Sequence, residues 1–557
     1  MEKHSPHNLY KKAMIELRSG ADKKEVVLPL FAEAFNELQN DIDFLYDFGM
    51  LLYELSSFTR ALELLGKVVA LKSDHVGALI GIQGIFEITG NLISAIGVAD
   101  IILKISPQNT SAYSNLGNSL LGSGYHTQSL EAFKKALEYS HKNIHYASNL
   151  LLSLNYAEAI SREENFAFYE KYRDFYEPHN PTSSPMPPRS GKIKIGFVSA
   201  DLSLSSVSYF ITAIFENYDK NRFEIHLFSN SERFDRISQK FKDLTDKWHN
   251  IKHLDNQSAA DLIRKENISV LVDLSGHIGG NRLQVFGIRP APVQVTYCGY
   301  PNTTGLKSID YRITDNICEP DDAQKFHTEK LFKLDGCFLC YSPESEKMPA
   351  CEFEDYQNRP IVFGSFNTLS KMTGKTIRLW SNAVNSVANA KLLLKHKFFN
   401  DPKLCELTLS RFREHGLSAE KITLVGFNPK QNEHWETYNK IDIALDSFPY
   451  NGTTTTCEAL YMGVPVITIL GNSHVSRVSA SLLAAVGLND FVAKDEGDFV
   501  RIAADLAQNT AKLAEIKRTL RDRMQASSLM DKRHFTEKWQ CAILKMIDEH
   551  TCTRPGN

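Results

Sequence analysis

The sequence predicts an α-helical solenoid followed by two α/β halves. Three features support this fold class: a period of 34 residues near the start of the chain, a Pro/Ser-rich stretch at 178–191, and alternating strand-like and helix-like segments beyond it. We therefore assign helical repeats to residues 1–155, a helical connector and linker to 156–190, and the two α/β halves to 191–350 and 351–530. A C-terminal helix and tail are assigned to residues 531–557.

The first part of the chain repeats with the spacing of tetratricopeptide units. Units start at Ile42, Val76 and Thr110, a partial unit follows from Ile144, and a weaker one precedes Ile42. Small residues recur at the twentieth position, where the two helices of a unit approach closely: Ala61, Ala95 and Ser129. Unrelated amphipathic helices are the alternative, but they would not hold several positions in one register. Stacked units leave a concave groove that usually binds an extended peptide or a partner protein.

Composition narrows the functional classes. The 557 residues include 63 basic and 66 acidic side chains, so a formal charge of −3 does not favour nucleic acid or an anionic membrane as the main partner. The longest apolar stretches, such as Val464–Leu470, fall far short of the roughly 20 residues that span a bilayer. The N-terminus lacks an apolar signal core, and nine scattered cysteines without CxxC spacing fit a reducing compartment. We expect a cytoplasmic protein with no membrane span and no nucleic-acid partner.

After the linker, apolar runs that end in small or polar residues alternate with helical stretches. The strand candidates are 192–201, 223–230, 268–277 and 293–301 in the first half, and 361–367, 390–396, 422–427, 441–447 and 465–471 in the second. This alternation predicts two Rossmann-like parallel sheets whose functional loops lie at the carboxyl ends of the strands, with a ligand cleft between the halves. The missing GxGxxG and P-loop motifs argue against a dinucleotide cofactor and a P-loop nucleotidase. No DxD motif lies in a loop of these halves where metal-dependent sugar transfer would need one.

The densest chemical signal is the segment DSFPYNGTTTTCEALYMGVPVITILG at 446–471. A strand ends at Asp446, a turn follows, and four threonines lead into a short helix. Free N–H groups at a helix start hold phosphate oxygens, and threonine hydroxyls add further donors. Glu458 is expected in the first helical turn, where its carboxylate accepts the paired hydroxyls of a ribose. The alternative is that the threonines only cap the helix and that Glu458 offsets its dipole.

Polar residues after other strands supply further candidates. Lys371, at the end of GSFNTLSK, is placed to neutralise the charge on a departing diphosphate as a metal ion would. His277 lies among glycines just beyond a strand, and His434 is a candidate for stacking on or hydrogen-bonding a base. The next polar loop holds three candidates for contact with sugar or acceptor: Asn302, Thr303 and Thr304. A solvated lysine and structural histidines are the alternatives for these positions.

Three motifs carry a family resemblance: RPAPVQVTYCGYPNTTG, GSFNTLSK and FPYNGTTTTCEALYMGVPV. With the repeats before them, they resemble the O-GlcNAc transferase/SPINDLY family, glycosyltransferase family 41, from about Ile42 to Val500. The resemblance implies a GT-B fold, no catalytic metal and no other cofactor. It also implies inverting transfer of a sugar from a nucleotide donor to Ser or Thr of a polypeptide that the repeat groove binds. The repeats are compatible with a homodimer.

The resemblance assigns roles to individual residues. Lys371 matches the lysine that contacts the donor diphosphate, Thr454 and Thr455 match residues on the phosphates, and Glu458 matches the acidic residue on the ribose. His434 matches a histidine near the base, and His277 matches a histidine near the acceptor. We take His277 and Lys371 as the catalytic residues. Three neighbours complete the expected donor-binding set: Asn451, Gly452 and Thr453.

Two departures from the family pattern leave the activity and the donor open. Ser205 stands where many members have a histidine to which a base or acceptor role has been assigned. If that histidine is required, the catalytic activity of this chain is impaired or another group acts as the base, and His277 is the nearest candidate. Proton transfer through the donor phosphate or solvent would remove that need. Thr453 replaces the histidine of the O-GlcNAc transferases themselves, which brings the chain closer to the SPINDLY branch. UDP-GlcNAc is the favoured donor, and GDP-fucose, which a plant SPINDLY uses, is the alternative.

Two other interpretations of the whole chain stay open at this stage. In the first, the chain is a catalytically impaired repeat scaffold that only binds nucleotide sugar. In the second, it is an enzyme that acts on glycans or lipids. Intact Lys371, Thr454, Thr455 and Glu458 argue against the scaffold. The peptide-sized groove of the repeats argues against a glycan or lipid acceptor.

Overall fold

The computed structural model describes residues 5–178, 191–343, 359–427 and 432–553, together with Pro349. The chain divides into two compact units, the first comprising residues 1–141 with 401–404 and the second 142–400 with 405–557. The predicted linker, apart from its end residues Pro178 and Gly191, lies outside the described residues. Within the described part of the chain, the helices are all too short or too polar to cross a membrane.

The first unit is built from helix pairs. In the described residues its helices are α1 Pro6–Arg18, α2 Leu28–Leu38, α3 Ile42–Glu54, α4 Phe58–Leu71, α5 Val76–Thr89, α6 Leu92–Ile105, α7 Thr110–Gly122 and α8 His126–Glu138, with a π-helical turn, Lys23–Val27, before α2. Helices α3, α5 and α7 begin at the three repeat starts expected from the sequence. The preceding side chain caps each of them, since Asp41, His75 and Asn109 each accept a hydrogen bond from the backbone N–H three residues further on.

Small residues let the two helices of a unit approach closely. A Cβ atom added at Gly117 would lie 2.6 Å from the ring of Phe133 on the facing helix, and one at Gly49 would lie 2.9 Å from Leu65. The residues at the twentieth repeat position are all completely buried: Ala61, Ala95 and Ser129. The sequence period therefore reflects a steric requirement at each helix–helix contact.

The second unit begins with α9 Ile144–Ser153 and α10 Arg162–Tyr172. Helix α9 starts one repeat length after α7, but it belongs by its contacts to the second unit. The segment expected to be a connector packs into this unit. The hydroxyls of Tyr169 and Tyr300 lie 2.6 Å apart, and the Arg173 side chain donates to the carbonyl of Gly305.

The first half of the second unit contains a seven-stranded parallel sheet in the described residues. Its strands are β1 Ile193–Ser199, β2 Phe223–Ser229, β3 Lys247–Asn250, β4 Val270–Asp273, β5 Val293–Thr296, β6 Tyr311–Asp315 and β7 Lys330–Leu334. Four helices lie between them: α11 Ser208–Asn217, α12 Arg236–Leu244, α13 Asn256–Lys265 and α14 Leu283–Ile288. The order β3-β2-β1-β4-β5-β6-β7 is that of a doubly wound sheet, with its crevice where the order reverses beside β1 and β4.

The second half contains a six-stranded parallel sheet of the same winding in the described residues. Its strands are β8 Val362–Ser365, β9 Lys391–Lys395, β10 Ile422–Val425, β11 Ile443–Leu445, β12 Val466–Ile469 and β13 Val492–Ala493, in the order β10-β9-β8-β11-β12-β13. Its helices are α15 Gly374–Asn385, α16 Pro402–Glu414, α17 Asn432–Tyr438, α18 Thr454–Tyr461, α19 Val478–Ala485, α20 Glu496–Gln508 and α21 Thr510–Gln525. Two doubly wound sheets in tandem match the predicted GT-B architecture.

The last helix, α22 Lys532–Thr553, returns to the first half. Trp539 is completely buried, with its ring stacked on Phe197 of β1 at a centroid distance of 5.7 Å. The Thr536 hydroxyl donates to the carbonyl of Ala213 on α11 at 2.9 Å. The first half is therefore completed by a helix that follows the whole second half in sequence.

Candidate active site

A cavity of about 420 Å³ lies where the carboxyl ends of the two sheets face each other. Loops that follow β1, β5, β8 and β11 supply most of its wall, which is where parallel α/β sheets bind ligands. The polar and charged side chains that line it are Asp201, Ser205, Ser206, Asn367, Thr368, Lys371, Tyr450, Thr453, Thr454, Thr455 and His474. Of the expected site residues, the structure thus brings Lys371, Ser205 and the three threonines together on one cavity.

Lys371 is held at the cavity wall by the second half. Its ammonium group donates to the carbonyl of Asn451 at 2.7 Å and lies 4.3 Å from the ring centroid of Tyr450. Burial lowers the pKa of Lys371 to about 8, although the nearby Asp446 carboxylate acts in the opposite direction. The group is therefore a desolvated cation at neutral pH, and an anion in the cavity would stabilise its charged form.

The threonines lie at the start of α18. The first N–H groups of a helix have no intrahelical acceptor, and here they open beside the cavity that Thr454 and Thr455 line. The Thr455 hydroxyl donates to Asn367 Oδ1 at 3.1 Å, and that oxygen also lies 3.4 Å from the Lys371 ammonium nitrogen. Asn367 thereby joins the cation to the helix start.

A buried carboxylate fixes the turn before α18. Asp446 Oδ1 accepts a 2.7 Å hydrogen bond from the backbone N–H of Gly452, and Oδ2 accepts one from the Thr468 hydroxyl. A Cβ atom on Gly452 would lie 2.5 Å from Thr456 Oγ1, so the turn requires glycine at this position. Asp273 plays the equivalent part in the first half, since it accepts from the N–H of Gly276 and from a threonine of the next strand.

Asn451 and Gly452 support the site rather than line the cavity. Asn451 is 1% exposed, its side-chain amide donates to the carbonyl of Ser447, and its own carbonyl receives the Lys371 hydrogen bond. Both residues are buried in the turn before α18, where the Asn451 carbonyl and the Gly452 N–H hold Lys371 and Asp446 in place.

Glu458 and His434 form a second polar group behind the helix start. Helix α18 begins at Thr454, so Glu458 lies beyond the first turn in which we expected it. Its carboxylate accepts a 2.9 Å hydrogen bond from the Tyr438 hydroxyl and lies 3.2 Å from His434 Nε2. The Lys395 ammonium group is 3.1 Å from His434 Nδ1, which makes Nδ1 the acceptor and Nε2–H the donor to Glu458. Neither residue lines the 420 Å³ cavity.

The structure corrects the expected catalytic role of His277. Its imidazole is 1% exposed, with Nε2 at 2.8 Å from the carbonyl of Thr304 and Nδ1 at 3.3 Å from the Ser148 hydroxyl. Burial lowers its pKa to about 4. Since both ring nitrogens have partners inside the protein and the ring does not line the cavity, His277 joins α9 to the loop after β5.

The polar loop after β5 is also turned inward. Thr303 and Thr304 are buried, and both hydroxyls donate to the carboxylate of Glu329. Asn302 donates to the side-chain oxygens of Asn155 and Asn165 and lines an adjoining cavity of about 530 Å³. The expected contact of Thr303 and Thr304 with sugar or acceptor is thus corrected to a structural one, because Glu329 takes up both hydroxyls.

Asp201 and Ser205 are among the residues of the first half that reach the cavity from the loop after β1. The Ser205 hydroxyl donates to the carbonyl of Asp201 at 2.9 Å. Burial raises the pKa of the Asp201 carboxyl above its ordinary value, while Arg233 opposes the shift. The cavity therefore presents a partly desolvated carboxylate on one wall and a desolvated ammonium group on the other.

With this geometry in place, comparison with known proteins identifies the family. The model of the family described as "Glycosyl transferase family 41" matches residues 141–348 and 343–539. The chain belongs to glycosyl transferase family 41. The two matched ranges overlap and together run from 141 to 539, which takes in α9, α10, both sheets and the start of α22.

Similar proteins agree with this membership. A protein of Oryza sativa subsp. japonica, named as a probable UDP-N-acetylglucosamine–peptide N-acetylglucosaminyltransferase SPINDLY, is 38% identical over 75% of this chain and 46% of its own length. The Arabidopsis thaliana protein of that name is 36% identical over 72% of this chain and 44% of its own length. The chain thus spans about half the length of these curated relatives. A solved structure, a mutant of Thermobaculum terrenum O-GlcNAc transferase, is 28% identical, with a TM-score of 0.85 over 92% of this chain and 98% of that one.

Sequence reasoning missed six polar residues that line the 420 Å³ cavity: Asp201, Ser206, Asn367, Thr368, Tyr450 and His474. Asn367 and Tyr450 lie inside motifs that the sequence marks, but they have neighbours with stronger chemical signals. His474 follows β12, so the rule that selects polar residues after strands would have found it. Its Nδ1 lies 2.9 Å from the buried Glu319 carboxylate, and burial lowers its pKa.

Proposed function

We propose that this chain is an inverting, metal-independent protein O-glycosyltransferase that transfers GlcNAc from UDP-GlcNAc to Ser or Thr of polypeptides. The observation that carries the proposal is the 420 Å³ cavity in which Lys371, the start of α18 and Asp201 converge. Membership of family 41 and the names of its relatives supply the reaction class. The repeat helices of the first unit are proposed to bind the polypeptide acceptor.

The second half is proposed to stabilise the leaving group. The N–H groups at the start of α18 and the hydroxyls of Thr454 and Thr455 bind the phosphate oxygens, and the Lys371 ammonium group offsets the charge that develops as the bond to the anomeric carbon breaks. An anion next to Lys371 raises its pKa again, so the lysine is fully charged when the donor is bound. One fixed cation and a helix start thereby supply the electrostatic stabilisation that a metal ion gives in other transferases.

The first half is proposed to provide the proton acceptor. The acceptor hydroxyl oxygen attacks the anomeric carbon on the face opposite the diphosphate, the C–O bond to the diphosphate breaks, and the hydroxyl proton passes to the Asp201 carboxylate. Asp201 lines the cavity and its pKa is raised by burial, which makes it a better base than a solvated aspartate. Because His277 is buried and fully bonded, it takes no part in this step.

Donor titration tests the nucleotide and the sugar. The purified protein is titrated calorimetrically with UDP-GlcNAc, UDP-glucose, GDP-fucose, UDP and GDP, each with and without EDTA. We expect a response to UDP-GlcNAc and UDP that EDTA does not change. Thr453 makes GDP-fucose the alternative donor, and a response confined to GDP-fucose and GDP would overturn the assignment of UDP-GlcNAc. Loss of donor binding in EDTA would overturn metal independence.

Transfer to peptides separates the enzyme from a scaffold. The protein is incubated with the bound donor and a Ser/Thr peptide library, and products are read by mass spectrometry, with the anomeric configuration from NMR. We expect a β-linked GlcNAc on peptide hydroxyls, and loss of product in Lys371→Met and Asp201→Asn. Donor binding without donor consumption across the library would favour the non-catalytic scaffold.

A further inference from the structure

A second cluster of potential ligands lies on the first sheet, apart from both cavities. His226 on β2, His249 on β3 and Glu266 at the end of α13 each offer one ligand atom, and these atoms lie within 4.8 Å of one another. Within the described residues, this is the single group of three or more His, Cys, Asp or Glu side chains with such spacing. None of the three lines the 420 Å³ or the 530 Å³ cavity.

The orientation of His226 leaves one ring nitrogen without a partner. The side chain is completely buried, and Nε2 lies 2.7 Å from Glu224 Oε1, which fixes Nε2–H as the donor. Nδ1 therefore carries a lone pair, is buried, and makes no hydrogen bond. The nearest carboxylate oxygen, Glu266 Oε2, is 3.6 Å away, beyond hydrogen-bonding distance. An imidazole whose second nitrogen donates to a carboxylate is the arrangement that orients metal-binding histidines.

His249 supplies a second ring nitrogen without a hydrogen-bond partner. Its Nε2 is buried and has no hydrogen-bond partner. Its ring stacks on that of His226 at a centroid distance of 5.6 Å and on that of Phe228 at 4.7 Å. Two buried imidazole nitrogens without partners, next to a carboxylate, are unusual in a folded protein.

We propose that His226, His249 and Glu266 form a binding site for one divalent transition-metal ion, of which Zn²⁺ is the best match. Two imidazoles and one carboxylate are a ligand set that zinc accepts in tetrahedral geometry, with a water in the fourth position. Lys247 donates to Glu266 at 2.6 Å, and its half-exposed side chain turns outward when the cation takes its place. The ammonium nitrogen of Lys194 lies 3.8 Å from Oε1 of Glu224, the carboxylate that orients His226. The bound ion ties β2, β3 and the end of α13 together.

Metal titration of matched variants tests this site. Protein stripped with chelator is titrated with ZnCl₂ by calorimetry, and with Co²⁺ while the visible absorption of tetrahedral cobalt is recorded. His226 is buried between strands and its variants risk misfolding, so the test uses His249→Gln and Glu266→Gln, with the exposed His253→Gln as control. We expect each of the first two to weaken Zn²⁺ binding at least about tenfold and to lose the tetrahedral cobalt spectrum, and the control to retain both.

Lys247→Met gives an opposite and independent readout. Removing the competing ammonium group should strengthen Zn²⁺ binding and increase the rise in melting temperature that saturating Zn²⁺ produces. A folded wild-type protein that gives no tetrahedral cobalt spectrum, or equal Zn²⁺ affinity in wild type, His249→Gln and Glu266→Gln, would overturn the proposal. Neither result depends on the transfer reaction, because the site lies outside the proposed active cavity.

Discussion

Replacing Lys371 by methionine should remove transfer and at the same time stabilise the protein at neutral pH. Burial lowers the pKa of Lys371 from 10.5 to about 8, which corresponds to about 3 kcal/mol of unfavourable free energy for holding the charge in the folded state at pH 7. Methionine fills a similar volume without that charge, but the carbonyl of Asn451 loses its 2.7 Å hydrogen bond, at a cost of about 1 kcal/mol. The expected net gain is about 2 kcal/mol, or about 2 °C in the melting temperature of the second unit.

The pH dependence of that gain follows from the direction of the pKa shift. Below pH 8 the lysine is charged in both the folded and the unfolded protein, so the folded state carries the whole penalty. Between pH 8 and pH 10.5 the folded protein releases the proton first, and the penalty disappears. The stabilising effect of Lys371→Met should therefore be largest at pH 7 and fade toward pH 10, which paired calorimetric scans of mutant and wild type measure.

Lys375→Met provides the matched comparison. Lys375 is a partly buried lysine on the same helix–loop segment, but its ammonium group pairs with Glu496 at 3.2 Å, so removing it should leave the melting temperature unchanged or lower it slightly. A Lys371→Met protein that melts at or below the wild-type temperature at pH 7, or that gains equally at pH 7 and pH 10, would refute the argument that Lys371 is a desolvated cation kept for function.

Three further substitutions test other parts of the structure. Glu458→Gln should weaken donor binding about tenfold in calorimetric titration. Tyr438→Phe, which keeps the Glu458 carboxylate, should bind the donor nearly as tightly as the wild type does. Equal donor affinities in the two variants would show that Glu458 does not contribute to donor binding. Gly452→Ala should displace the threonines at the start of α18 and weaken donor binding at least about tenfold, while Gly374→Ala, whose added carbon meets open space, should not. Trp539→Ala should destabilise the protein to denaturant by about 3–5 kcal/mol, and a loss below about 1 kcal/mol would contradict its place in the core of the first half.

The fold could be predicted from the sequence wherever one local pattern decides the structure. The repeat helices start at Ile42, Val76 and Thr110 because both the small contact residues and the capping residues before them follow the same period. The central strands of both sheets are apolar on both faces, so they stand out as continuous apolar runs. Strand β6 was missed because it carries Arg312 and Asp315, whose burial depends on partners distant in sequence.

The candidate site could be predicted only in part for a similar reason. A polar residue after a strand is correctly placed near the sheet edge, but the sequence does not say on which side of the loop its side chain lies. Lys371 and Ser205 line the cavity, whereas His277 and Thr304 turn inward to bonds with distant residues. The partners that decide this, Ser148 and Glu329, carry no signal of their own in the sequence.

The return of α22 to the first half bears on how the protein is synthesised. The second sheet is made of one continuous stretch of chain, so its folding can proceed as that stretch leaves the ribosome. The first half, although made earlier, lacks the stacked contact between Phe197 and Trp539 until α22 has been added. During that interval the apolar surface that α22 later covers is open to aggregation or to a chaperone. An expression clone of the first half alone should therefore carry residues 532–553 joined to it by a linker.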